Sequence, residues 1–419
     1  MTLFSRDLSY LTLYGAHALK VFSFVLLIPH FTGIFSKTVW GQILTVQAFA
    51  LWLQIVVEYG FNLSATRSMA RVRDDEAALS HLVAGVAGAK ALLSGVVGVV
   101  AFVAGLGLSS LHGLGHLLFL ATVYAVSQGY NPVWYFLARG KFSQYAAIDF
   151  ANRLSYLLLC LLFIRNGQQA NLIFVFGIIT ALFTNVVGYL LISRQIRIRF
   201  PTVSDSWQAL KEGFGMFLFV GVTSIYTTLN LVILGSSQTA GVVAAYGTSD
   251  RIVRATGGLL DPLNRIVYAK LSYLYHHDFG GALSFLRKAA LAIFGAGIFI
   301  FIAGELAAGT IINILAPGYP ESVFYLRLLF WFIPFLAINN IVGLHIMLPL
   351  GMDRIFNMIF IAVSILSVGA MLLYVPTGGA TAMAVITILT EAAACVSMVV
   401  AVWRSGCLGT GLTGSSSHV

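Results

Sequence analysis

Stretches of about 20 consecutive apolar residues recur along almost the whole chain, and this repetition constrains its fold more than any single motif. An α-helix rises 1.5 Å per residue, so about 20 apolar residues cross a hydrocarbon layer about 30 Å thick. Charged residues make up 9% of the chain and hydrophobic residues 59%, whereas a soluble domain carries about 25% charge. In hydrocarbon every backbone polar group must be satisfied internally, which leaves helices and closed barrels. Barrel strands would alternate apolar and polar residues over about 10 positions, and these stretches do not. The expectation is an all-α polytopic membrane protein with about twelve transmembrane helices.

The expected spans are 9–30, 39–62, 82–105, 114–135, 144–164, 171–193, 214–235, 240–270, 288–310, 322–348, 355–376 and 380–402. Arg67, Arg71, Arg139, Lys141, Arg194 and Arg197 fall in one set of connecting loops, with Lys211, Lys270, Arg287, Lys288 and Arg354. The opposite loops offer Lys37 and Arg165. By the positive-inside rule, both termini lie in the cytoplasm. The Gly- and Ser-rich segment 406–419 reads as a flexible cytoplasmic tail.

Internal similarity suggests a duplication. Glu58-Tyr-Gly-Phe-Asn62 followed by Arg67 matches Asp261-Pro-Leu-Asn264 followed by Lys270, and Asn131-Pro132 near the end of the fourth span matches Asn339-Asn340 in the tenth. The expected division is an N-terminal six-helix lobe over 1–200 and a C-terminal one over 201–405. An even number of spans per half gives two parallel lobes with a central cleft.

Charge within the spans points to function, because ionisable groups in hydrocarbon face a protein interior or a water-filled cavity. Lys20, Lys90, Arg153, Arg251, Arg254 and Arg265 are basic residues so placed. Glu58, Asp149, Asp250, Asp261, Glu305 and Glu391 are the acidic ones in or near spans. At about 100° per residue, Tyr246, Asp250, Arg254, Asp261, Arg265 and Tyr268 share one helical stripe. The bland reading of that stripe is internal pairing of Asp250 with Arg254 and of Asp261 with Arg265. Gly257-Gly258 followed by Asp261-Pro262 is the expected hinge.

Several chemistries lack their motifs. There is no P-loop sequence and no His-Glu-x-x-His or cysteine cluster, so no catalytic, nucleotide or metal site is expected. The net charge of +9 is dispersed over loop ends, so membrane topology explains it and no nucleic-acid partner is expected. His17 shares a face with Lys20 and reads as a buried histidine or a proton carrier.

The run Glu58-Tyr-Gly-Phe-Asn-Leu-Ser-Ala-Thr-Arg67 resembles the end of the second helix in Wzx-type O-antigen flippases of the polysaccharide transporter family. Asn131-Pro-Val-Trp-Tyr-Phe-Leu-Ala-Arg-Gly-Lys141 is similar to that family's Pro-x-Trp motif, although Leu137-Ala138-Arg139 departs from its usual Gln-Gly. Ala245-Tyr246 with Asp250-Arg251-Ile252 adds a further match. The family lies in the multidrug/oligosaccharidyl-lipid/polysaccharide superfamily. The resemblance implies twelve helices in two lobes around a cationic cleft. It also implies export of an undecaprenyl-pyrophosphate-linked oligosaccharide, an O-antigen or exopolysaccharide repeat unit, across the bacterial inner membrane. A polysaccharide polymerase and a chain-length regulator are the protein partners of such a role.

Arginine suits bidentate phosphate contacts and lysine acts as a point charge. Lys20, Lys90, Arg153, Arg251, Arg254 and Arg265 are therefore the expected pyrophosphate-binding residues, with Tyr246 and Tyr268 to stack on sugars. Coupling to a proton or sodium gradient would fall to Asp250, Glu58 or Asp261. The alternatives are a multidrug or metabolite antiporter, a membrane polysaccharide polymerase or ligase, and a peptidoglycan-precursor flippase. A pump for cationic drugs would favour acidic cleft residues. Polymerases and ligases usually carry a long outer loop, and precursor flippases often have more than twelve helices.

Overall fold

The computed structural model describes residues 25–72 and 75–406, and all regular structure among them is helical. The elements are α1 (Val25–Ile34), α2 (Lys37–Glu58), α3 (Phe61–Arg71), α4 (Glu76–Gly107), α5 (Gly115–Gly129) and α6 (Val133–Ala138). α7 (Phe142–Phe163), α8 (Leu172–Ser193), α9 (Val203–Thr228), α10 (Asn230–Gly235), α11 (Ala240–Gly257) and α12 (Asp261–His277) come next. The last are α13 (Phe279–Leu315), α14 (Ser322–Phe330), α15 (Phe332–Asn339), a π-helical segment over Asn340–Met347, and α16 (Asp353–Ser405). Each expected span has a helical counterpart, the first only over its described end. Lys20, His17 and the tail from 407 onward lie outside the described residues.

Local chemistry sets the helix ends. Ser36 caps α2 by accepting from the Val39 N–H at 3.3 Å, and Asp75 caps α4 by accepting from the Ala78 N–H at 2.9 Å. These caps satisfy amides that the first turn leaves orphaned. α16 spans 53 residues, about 80 Å as a straight rod, far more than one bilayer crossing needs. Gly379 breaks it with φ 58° and ψ −147°, a conformation open to glycine. The expected spans 355–376 and 380–402 lie on either side of that break.

The chain divides into two compact units, one ending at Gly247 and including Leu315–Gly318, the other formed by Thr248–Ile314 and the residues from Tyr319 onward. In the first unit α9 packs on α4 and α2. A Cβ on Gly85 would stand 2.7 Å from the Asp205 carbonyl, and one on Gly88 would meet Ser206 and Pro201. These glycines let the two helices approach, the way small residues drive helix association in membranes. α5 joins α8 through Asn185, whose Nδ2 donates to the Ser127 carbonyl at 2.7 Å. In the second unit Leu271, Tyr275, Ile293, Met347 and Met398 form the centre of an apolar core. There Gly297 opposes Ala337, and Gly304 opposes the Phe330 ring.

Candidate functional site

The residues with similar counterparts in the two halves of the sequence mark helix breaks. Glu58 is the last residue of α2. Tyr59 and Gly60 then take left-handed conformations, φ 48° and 70°, and the chain re-enters helix as α3. Asp261 opens α12 directly after a 3₁₀ turn over Gly258–Leu260. Asn131 and Pro132 lie between α5 and α6, whereas Asn339 and Asn340 stand where α15 passes without a gap into the π-helical segment. A broken helix exposes backbone groups that polar side chains must satisfy, which accounts for the polar residues at these points.

Inside the first unit, α2, α4, α7 and the connection between α5 and α6 bring their polar groups together. The Lys90 ammonium is 1% exposed and donates to the Asn131 carbonyl at 3.3 Å, within electrostatic range of Glu58. Gln54 Nε2 donates to Glu58 Oε1 at 2.8 Å. Asn131 Nδ2 donates to the Tyr145 hydroxyl at 3.1 Å, and its Oδ1 accepts from the Val133 N–H at 3.0 Å. One turn beyond Tyr145, Arg153 Nε donates to Asp149 Oδ2 at 2.9 Å. Lys90, Asn131 and Tyr145 form one hydrogen-bonded chain, and of the other expected site residues Glu58 and Arg153 lie within its electrostatic range.

The second unit holds the other charged group. Arg254 Nε donates to Asp250 Oδ2 at 2.8 Å, and the Arg254 guanidinium lies 5.9 Å from the centre of the Phe332 ring. Asp250 is 6% exposed, and Arg251 and Arg254 are half-buried. Tyr246, on the same helix but in the first unit, is fully buried.

Burial changes along the stripe expected on this helix. Asp261, Arg265 and Tyr268 are exposed, in contrast to Tyr246 and Asp250. The 3₁₀ turn supplies the reason. It winds about 120° per residue instead of about 100°, so its three residues rotate the face of α12 by about 60° relative to α11. Gly257-Gly258, the expected hinge, stands at the entry to this tightened turn, and Gly257 keeps helical angles, φ −59° and ψ −38°.

Sequence reasoning missed two further contacts in the second unit. Asn339 Nδ2 donates to Glu391 Oε2 at 2.7 Å and to the Glu391 carbonyl at 3.2 Å. His345, fully buried in the π-helical segment, pairs through Nε2 with Asn264 Oδ1 at 3.1 Å. A histidine in an apolar span is a signal of the same kind as Lys90, and π-helical turns occur often at functional sites.

Residues 6–268 match the family described as polysaccharide biosynthesis protein. The chain belongs to that family. Among curated relatives it is 26% identical over 368 residues to a candidate O-antigen transporter of Shigella dysenteriae, covering 83% of this chain and 87% of the relative. It is 24% identical over 329 residues to a candidate O-antigen transporter of Escherichia coli strain K12, covering 77% and 78%. Its fold is like that of the lipid II flippase MurJ in an inward closed conformation, with a TM-score of 0.72 at 14% identity, over 95% of this chain and 87% of MurJ. An inward-facing multidrug resistance transporter of the MATE family gives 0.63 at 16% identity, over 92% and 98%. This family member is therefore an all-α, multi-pass membrane protein.

Proposed function

We propose that the chain is a flippase that moves an undecaprenyl-pyrophosphate-linked oligosaccharide across the bacterial inner membrane by alternating access. The observation that carries this reading is Arg254, half-buried on α11 beside Arg251 and held by the buried Asp250. An intramembrane charge is unfavourable by about 2.5–3.5 kcal/mol on insertion scales, and Asp250 offsets that of Arg254. A pyrophosphate head is an anion to which a guanidinium offers two parallel donors. The candidate O-antigen transporters among the relatives support the same substrate class.

The functional test reconstitutes the full chain in proteoliposomes with a fluorescent undecaprenyl-pyrophosphate oligosaccharide. Protection of the glycan from an external modifying reagent reports flipping. Flipping above protein-free vesicles is expected, and a rate equal to theirs would overturn the proposal.

In this reading both termini face the cytoplasm, and a polysaccharide polymerase and chain-length regulator act on the exported unit. Labelling of Arg71→Cys in intact cells by an impermeant reagent would reverse the orientation. Coupling rests on Asp250, Glu58 or Asp261 with a proton or sodium gradient. Flipping that is unchanged when both gradients are collapsed would remove that coupling.

A further inference from the structure

The connection between α8 and the start of α9 carries a surface that the transport chemistry above does not use. Arg194, Arg197 and Arg199 are exposed there, and so are Ile198 and, to 95%, Phe200, while Ile196 is buried. α9 continues the pattern. At about 100° per residue, Val203, Trp207, Leu210 and Phe214 fall within about 60° of one another. Val203 is 84% exposed and Trp207 68%, and the exposed Lys211 borders the stripe.

The rotation of α9 is fixed from one side. The face about 100° around the helix from that stripe, Ser206, Ala209 and Gly213, is buried, with Gly88 of α4 against Ser206 and the Tyr59 ring against Gly213. The linker is tied to the same wall. Arg199 Nη1 donates to His81 Nε2 at 3.1 Å, and His81 Nδ1 donates to Asp205 Oδ2 at 3.3 Å. The stripe therefore lies on the flank of α9, where Val203, Trp207 and Phe214 are exposed, and Lys211 borders it.

Hydrocarbon would not hold these cations, and water would not favour Phe200 and Trp207 held outside the fold. A headgroup region accommodates both. Aromatic side chains sit at the acyl boundary while arginine and lysine stems reach the phosphates. We propose that the segment from Arg194 to Phe214 is a binding surface for anionic phospholipid headgroups, committed to them by Lys211 beside the apolar stripe and by Arg194, Arg197 and Arg199 on the linker that leads into it. It attaches the linker and the first turns of α9 to the leaflet that the basic loops face.

The test uses the full chain in nanodiscs containing either brominated phosphatidylcholine or brominated phosphatidylglycerol. Quenching of Trp207 is obtained as the difference between wild type and Trp207→Phe. Stronger quenching by the anionic lipid is expected. Lys211→Gln should lower the lipid preference by about fivefold, the effect of one basic residue near an anionic surface. Arg194→Gln/Arg197→Gln/Arg199→Gln/Lys211→Gln should bring it to unity. Equal quenching by both lipids, or a preference unchanged in both variants, would overturn the proposal. So would absence of quenching by either lipid in a dimeric chain, which would make this face a protein interface. Both leaflets of a nanodisc carry the same lipid, so the result depends on neither the orientation nor the transported substrate.

Discussion

Lys90 donates its ammonium proton to the carbonyl of Asn131, the residue at which the fourth span breaks before Pro132. The carbonyls that end a helix lack intrahelical partners and carry the negative end of its dipole. A cation on the neighbouring α4 satisfies one of them and is balanced by Glu58. This lysine, expected from sequence to meet substrate, already holds α4 to the break between α5 and α6.

The first prediction rests on that arrangement. Lys90→Met should remove a cation from the electrostatic range of Glu58 and the donor to the Asn131 carbonyl. Removing one partner of a fully buried pair costs about 3–5 kcal/mol, and Glu58 is only half-buried, so a smaller loss, about 2 kcal/mol, is expected. Lys90→Met/Glu58→Gln should recover part of it. Thermal unfolding in detergent across the double-mutant cycle measures the coupling, and additive losses would show that the two charges do not interact.

The Tyr59–Gly60 turn gives a second prediction. A left-handed conformation disfavours a side chain by about 1–2 kcal/mol, yet Tyr59 adopts it, with its ring stacked 4.4 Å from that of Phe217. Gly60 has no such compensation, and a Cβ there would lie 3.0 Å from the Met216 Cβ. Gly60→Ala should therefore destabilise by more than Tyr59→Phe, which keeps the stack. Equal melting temperatures for the two variants would contradict this account.

The spans were legible because hydrophobic length alone fixes them, and the intramembrane charges were legible because hydrocarbon tolerates so few. Partnership was harder to see. Glu58, Lys90 and Asn131 lie in separate stretches of sequence, and only packing shows that they meet. Asp250 and Arg254 were readable as a pair because i,i+4 spacing is local. The course of that stripe beyond Leu260 was not, because a three-residue change of helical winding leaves no mark in hydrophobic periodicity. The setting of His345, a polar side chain in an apolar span, is visible in the sequence, but its partner Asn264 lies 81 residues away.

The start of α9 has a pH dependence whose direction can be worked out. Thr202 Oγ1 accepts from the Asp205 N–H at 3.1 Å. Hydrogen bonds from Thr202 and then from His81 hold the Asp205 carboxyl below its ordinary value. A carboxylate depressed in the folded state contributes stability above the ordinary carboxylate range and loses it as pH falls through the lowered value. Amides in the first turn of α9 should thus exchange faster below about pH 4, after correction for intrinsic rates. Asp205→Asn should flatten that dependence, and persistence of the acid response in the variant would assign it to another group.

Arg254 gives the most direct test of function, and its contact with Asp250 shapes the choice of variants. Arg254→Ala removes the proposed phosphate donor but also strands a carboxylate that is 6% exposed, so loss of export alone is ambiguous. Arg254→Lys retains a cation for Asp250 without the two-pronged fork. It should keep the protein at normal levels while export falls about tenfold or more, the effect of one charge-assisted hydrogen bond of about 1.5–3 kcal/mol. Asp250→Asn/Arg254→Gln keeps a neutral hydrogen-bonding pair and removes the cation. It should accumulate normally in the membrane and export nothing measurable, as read from surface glycan and from flipping in proteoliposomes. If the neutral pair exports as well as wild type, Arg254 is a structural partner of Asp250 and the phosphate must travel past other residues.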